Sequence, residues 1–207
     1  MRDLLILGAG VHAAEMVEII ERINQVKKTW RLLGFLSPDE KMWGEELNGL
    51  RVLGPQEKLR EHSGADLVPD NSWPWPFSVP RERLVTIVDP STFVSRTATI
   101  GVGGVFYPHC YVGLKARVGD GVFALSGSVI NHDDVVEDHC VLASQATLAG
   151  CVHVEPECYL GQSCTVRQFL RIGRKSMIGM GAVVVKDVPP GSTMAGNPAR
   201  ALAKEKK

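Results

Sequence analysis

From Val94 onward, an apolar residue returns at every sixth position. Val94, Ile100, Phe106, Val112, Val118, Ala124, Ile130 and Val136 begin the series, and Leu142, Leu148, Val154, Leu160, Val166, Ile172, Ile178 and Val184 complete it. A spacing of six held over sixteen positions is neither the helical nor the strand period; it marks an internal repeat. The position four residues later is usually small, as at Ala98, Gly104, Cys110, Ala116, Ser128, Cys140, Ala146, Cys158, Cys164, Ser176 and Ala182. Glycine favours the place just after the aliphatic residue, at Gly101, Gly113, Gly119, Gly161, Gly173 and Gly179.

This aliphatic–glycine–small pattern resembles the left-handed parallel β-helix of the hexapeptide acyltransferases. The resemblance implies that each hexapeptide forms one flat side of a triangular prism and that three hexapeptides complete a coil. The large aliphatic residue fills the prism and the small one sits near a corner. Such a fold departs from the usual right-handed crossover, and only the regularity of the repeat justifies expecting it. Cys110, Cys140, Cys158 and Cys164 fall at the small inward position, where cysteine acts as a compact hydrophobe. Cys151 falls outside it.

The first ninety residues follow another pattern. Leu4-Leu5-Ile6-Leu7 predicts a buried strand running into the Gly8-Ala9-Gly10 turn. A helix follows, with Met16, Val17, Ile19, Ile20 and Ile23 as its apolar stripe. Leu32 to Leu36 predicts a second strand ended by Ser37-Pro38-Asp39, and Gly49 to Gly54 another. Strand, glycine turn, helix and strand in this order fit the start of an α/β, Rossmann-like nucleotide-binding unit over residues 1–88, with the β-helix over 89–207. The third glycine of the dinucleotide fingerprint is missing, because position 13 is alanine. Ser63 to Pro80 reads as loop; Pro74 and Pro76 exclude a central strand, and Trp73, Trp75 and Phe77 are expected to pack between domains.

Composition narrows the function. Lys plus Arg and Asp plus Glu both total 23, and no basic patch interleaved with aromatics appears, so nucleic acid is not an expected partner. The start lacks a signal-peptide core and no run reaches membrane-spanning length, which predicts a cytoplasmic protein with no membrane contact. The charged Lys204 to Lys207 end reads as a solvated tail. No CxxC occurs among the five cysteines, which removes the common zinc and redox signatures.

The segment Ser128-Val129-Ile130-Asn131-His132-Asp133-Asp134 carries the candidate chemistry. His132 lies two positions after the inward Ile130 and should project outward, where imidazole serves as a general base near neutral pH. Asp133 is placed to orient it as a triad carboxylate does. Asp134 shares the inward phase, so its carboxylate needs hydrogen bonds inside the prism. Gly150 follows His132 by one coil, which puts its backbone N–H beside the base, aimed at a developing oxyanion.

Gly8-Ala9-Gly10-Val11-His12, the Ser128 to Asp133 segment, Leu148-Ala149-Gly150, and the ending Ile178 to Val184 with Ala195-Gly196-Asn197-Pro198-Ala199 together resemble one family. These are the bacterial sugar O- or N-acetyltransferases of the bacillosamine and sialic-acid pathway type. The resemblance implies acetyl transfer from acetyl-CoA to an amine or hydroxyl of a nucleotide-linked sugar, with no metal. It implies homotrimers with active sites between neighbouring prisms, and a nucleotide held by the N-terminal unit. Gly10, Val11, His12 and Asp39 are the corresponding substrate-binding candidates. For acetyl-CoA the candidates are Gly161, Gly179 and Gly181 along the pantetheine arm, with Lys186 or Arg200 at the phosphates. The second histidine of such enzymes has no counterpart, as His139 lies two residues before the place, which Val141 fills.

Two other readings stand beside this one. A metalloenzyme like the γ-type carbonic anhydrases would place histidines one or two whole coils apart, and none among His109, His132, His139 and His153 is so spaced. A prism with no catalytic role would bind no acetyl-CoA.

Overall fold

The computed structural model describes residues 1–71 and 79–202. The aromatic trio Trp73, Trp75 and Phe77, the prolines between them and the charged C-terminal end lie outside the described residues. The chain divides into two compact units, one comprising Met1–Pro90 with Val102–Gly104, the other Ser91–Gly101 with Val105–Lys207.

In the first unit, β1 (Arg2–Leu7) carries four fully buried residues, Leu4 to Leu7. It leads through the glycine turn into α1 (Val11–Val26), whose buried face is Ala13, Met16, Val17, Ile19 and Ile20. Asn24 closes the helix: its side-chain carbonyl accepts from the Thr29 and Trp30 N–H groups and its amide donates to the Trp30 carbonyl. Then follow β2 (Trp30–Leu36), β3 (Glu46–Leu47), β4 (Leu50–Gly54) and β5 (Asp66–Pro69). The sheet order is β3-β4-β2-β1-β5, parallel except for the β3–β4 hairpin. Arg22 on α1 holds the buried Asp89 carboxylate through Nε at 2.6 Å and Nη2 at 3.1 Å.

Two expectations change here. The stretch read as loop contains β5, whose Leu67 and Val68 are fully buried against β1. Pro69 is tolerated because β5 is an edge strand and the proline ends it. A doubly wound unit needs helices on both sheet faces. Among the described residues this unit has one α-helix, so the structure shows a helix on a parallel sheet and no more.

The second unit is a left-handed parallel β-helix built of two-residue strands. Residues three hexapeptides apart pair on successive coils, as in Tyr111 with Val129 and Arg117 with Val135. The first face stacks the strands Phe93–Val94, Tyr111–Val112, Val129–Ile130, Thr147–Leu148, Thr165–Val166 and Val183–Val184. The second runs from Thr99–Ile100 through Val135–Val136 to Arg171–Ile172, and the third from Val105–Phe106 to Met177–Ile178 and beyond. Fourteen of the sixteen periodic residues are buried; Val94 and Ile100, at the first coil, are half-buried.

The corners have a period of their own. His109, Lys115, Asp133, His139, Gln145, Cys151, Glu157, Ser163, Phe169 and Lys175 all adopt the left-handed conformation, with φ between 53° and 63°. Each precedes a buried inward residue and turns the chain through the corner. None is β-branched, the class for which this conformation costs most. No helix among the described residues is long and apolar enough to cross a membrane.

Candidate active site

The edge between the first and second faces brings His132, Asp133 and Gly150 together. Asp133 occupies a left-handed corner, φ 57°, with its N–H on the Leu114 carbonyl of the coil before at 2.8 Å. Its Oδ2 lies 3.0 Å from His132 Nδ1. With Nδ1–H donating to the carboxylate, Nε2 is left as the basic nitrogen. The His132 backbone is fixed on both sides: its N–H donates to Asn131 Oδ1 at 3.0 Å, and its carbonyl accepts from Cys151 N at 3.0 Å. The two side chains are about half exposed, 54% and 46%, so the base is open to a substrate.

Gly150 sits one coil on at φ 105°. A β-carbon here would meet His132 Nε2 at 2.8 Å, so the ring lies directly over the glycine. Among the described residues, nothing accepts from the Gly150 N–H. A half-exposed imidazole beside an unused backbone donor can remove a proton while a carbonyl oxygen gains charge.

Asp134 points into the prism and is fully buried. Its Oδ2 accepts from Asn131 N at 2.6 Å and its Oδ1 from Val152 N at 2.7 Å, tying the His132 turn to the coil above. Burial pushes this carboxyl up to about 6, against the two N–H donors, which favour the charged form. The folded value lies above the ordinary carboxyl value, so folding takes up a proton between the two. The stabilising contribution is therefore full below about pH 4 and lost as pH rises through about 6, on the order of 2–3 kcal/mol. Asp134→Asn should abolish that slope. It should also cost about 1–3 kcal/mol, because the NH2 that replaces one carboxylate oxygen cannot accept from the N–H facing it. Thermal melts of both proteins across this pH range measure it, and equal slopes would refute the assignment.

The acetyl-CoA candidates divide. Lys186 is exposed and lies on the same edge as His132, three coils further along. Gly161, Gly179 and Gly181 lie on the edge between the third and first faces, so one chain does not bring them to His132. A β-carbon at Gly161 would lie 2.7 Å from Ile178 O and Met180 N, so its small size already serves the stacking of coils. Arg200 lies in the antiparallel strand Arg200–Ala201, and its Nη1 donates to the Ala199 carbonyl at 2.9 Å. His139 is half-buried at the third edge, between the second and third faces, apart from His132. His153 pairs with Glu137 and lies 3.0 Å from Arg171 Nη1, while Arg171 Nε donates to Glu155 at 2.6 Å.

In the first unit, Gly10 and Asp39 line one hollow of about 250 Å³ with Gly8, Ala9, Ser37, Pro38 and Met42. Gly10 caps the start of α1 through its backbone, and Asp39 Oδ1 accepts from Lys41 N at 3.0 Å. Val11 and His12 are on the first helical turn, Val11 exposed and His12 Nδ1 3.1 Å from Glu15 Oε2; neither lines the hollow. The buried Asp70 carboxyl lies where a Gly8 side chain would stand, within 2.4 Å of that point, so only glycine fits. Asp70 had no signal in the sequence, since it reaches the turn by the pairing of β5 with β1.

The comparisons with known proteins bear on this geometry. No family model matches the chain. Over 87 residues, 42% of this chain, it is 42% identical to acyl-[acyl-carrier-protein]–UDP-N-acetylglucosamine O-acyltransferase of Pseudomonas paraeruginosa. The chain spans about a third (34%) of that relative's length. The acetyltransferase domain of PglB from Neisseria gonorrhoeae, in complex with acetyl coenzyme A, matches with a TM-score of 0.81 and 25% identity, over 97% of this chain and 99% of that one. The fold is that of the hexapeptide-repeat acyltransferases. PerB from Caulobacter crescentus, in complex with CoA and GDP-perosamine, shares it with a TM-score of 0.82 and 24% identity over 98% of each chain. The matched solved structures cover both units of the present chain, the N-terminal helix and sheet included.

Proposed function

We propose that this protein is an acetyltransferase that moves acetyl from acetyl-CoA to an amine or hydroxyl of a nucleotide-linked sugar. The observation that carries the reading is the His132 ring, oriented by Asp133 through Nδ1, with Nε2 facing Gly150. Nε2 takes the proton of the acceptor as its nitrogen or oxygen attacks the thioester carbonyl. The Gly150 N–H stabilises the oxyanion, and Asp133 stabilises the imidazolium. Collapse of the intermediate expels the CoA thiolate, which recovers the proton from Nε2. Transfer is direct, with no acyl-enzyme. PglB bound to acetyl coenzyme A and PerB bound to CoA and GDP-perosamine support the substrate classes.

The first unit acts as a Rossmann-like holder for the nucleotide, whose phosphates meet the backbone N–H groups at the start of α1 beside Gly8, Ala9 and Gly10. The working form is a cytoplasmic homotrimer. In it, a second chain's edge bearing Gly161, Gly179 and Gly181 faces His132 and guides the pantetheine arm, and Lys186 meets CoA phosphate. A thiol-release assay with acetyl-CoA tests the reading, run over amino sugars both free and nucleotide-linked. Release should depend on the acceptor, with kcat/KM at least about tenfold higher for a nucleotide-linked sugar than for its free form, about 1.4 kcal/mol of added binding. No release with any acceptor would overturn it.

A further inference from the structure

We propose that the His132 edge also binds a thiophilic divalent cation, with Zn²⁺ as the best fit, through His132, Asp133 and Cys151, and that the ion blocks acetyl transfer. The blocking rests on the acetyltransferase reading above; the binding does not. One donor atom from each of the three residues lies within 4.8 Å of the others. The set is one nitrogen, one oxygen and one sulfur, which suits zinc and disfavours magnesium and calcium. Three protein ligands with an open fourth position are a usual zinc arrangement.

The repeat builds this cluster. Cys151 follows Asp133 by one full coil, so two left-handed corners, φ 57° and 53°, stack on neighbouring coils. The Cys151 N–H on the His132 carbonyl holds the two turns together. Cys110, Cys140, Cys158 and Cys164 are buried in the prism, whereas Cys151 is half-buried at the edge, beside an exposed histidine and an exposed carboxylate. His132 Nδ1 and Asp133 Oδ2 are already 3.0 Å apart, near the separation of two zinc ligands at about 2.0–2.2 Å from the metal. Both side chains are half exposed and free to close the remaining distance.

Binding balances by proton movement alone. The thiol releases its proton to solvent on becoming a thiolate ligand. The single proton of the neutral ring moves from Nδ1 to Nε2, and the Nδ1 lone pair freed in this way binds the ion. A protonated Nε2 cannot accept a proton from the acceptor, so the ion switches off the base.

Cobalt(II) titration of the intact protein tests the binding, read at the near-ultraviolet thiolate-to-cobalt band. One ion per chain is expected. Cys151→Ser should remove the band and weaken binding on the order of 100-fold, at least the loss seen when a residue merely supporting a ligand is removed. Cys151→Asn, which suits the left-handed corner, should do the same and guards against a folding artefact in the serine variant. Zinc should inhibit thiol release by the wild type, reversibly with chelator, and the inhibition constant should shift by the same factor in both variants. A wild type without the band, or a band that survives in Cys151→Ser, overturns the site. Cobalt binding without zinc inhibition of an active enzyme overturns the block. A protein with the band but no acetyl transfer to any acceptor keeps the ion site and fails the acetyltransferase reading instead.

Discussion

Replacing His132 with alanine should lower kcat/KM for acetyl transfer by about 10²–10⁴-fold, the range that general-base catalysis supplies. The same variant should melt within about 0.5 kcal/mol of the wild type, because a half-exposed surface side chain contributes little to stability. The partition follows from the hydrogen bonds. Those that shape this turn run through the backbone, from His132 N to Asn131, from Cys151 N to the His132 carbonyl and from Asn131 N to Asp134. Among the described residues the ring itself bonds only to Asp133, a partner that is also half exposed. Removing the ring therefore deletes the base and leaves the turn. KM for acetyl-CoA should change little, since the imidazole acts on the acceptor's proton. A variant with wild-type turnover in the thiol-release assay would end the general-base mechanism.

The site was legible to the extent that the period turns sequence distance into spatial distance. Gly150 follows His132 by one coil and Lys186 follows it by three, and the structure puts all three on one edge. Gly161, Gly179 and Gly181 are offset from His132 by no whole number of coils, and they lie on a different edge. The same arithmetic places Cys151 over Asp133. What the aliphatic pattern did not reveal was the left-handed corner, whose signal is only an absence of β-branched residues at His109, Lys115, Asp133 and their successors.

The first unit was less legible because its contacts follow no period. The stripe of α1 was plain, since the helix carries its own pattern. Strand Asp66–Pro69 offers only Leu67 and Val68 as a buried pair before a proline, and its identity comes from pairing with Arg2–Leu7, at the other end of the unit's sequence. Asp70 beneath Gly8 depends on that same pairing. Local propensity cannot report a partner so distant in the chain.

Gly150→Ala should be the most damaging single-carbon change in the site, lowering kcat on the order of 10²-fold while folding is only mildly impaired. Two costs combine. At φ 105° a side chain is strained wherever it points, about 1–3 kcal/mol. The new carbon would also lie 2.8 Å from His132 Nε2, 3.1 Å from Cε1 and 3.3 Å from Cδ2. The coil cannot yield, because Cys151 N is bonded to the His132 carbonyl and Phe169 N to the Gly150 carbonyl. The exposed ring yields instead and swings away, drawing Nε2 from the acceptor and from the Gly150 N–H together. A displacement of about 1 Å is enough for a loss of this size. The double variant His132→Ala with Gly150→Ala should then be hardly slower than His132→Ala alone, because the alanine at 150 acts mainly by moving a ring that is no longer there. Full multiplication of the two losses would mean that Gly150 works independently of the base, through the oxyanion alone.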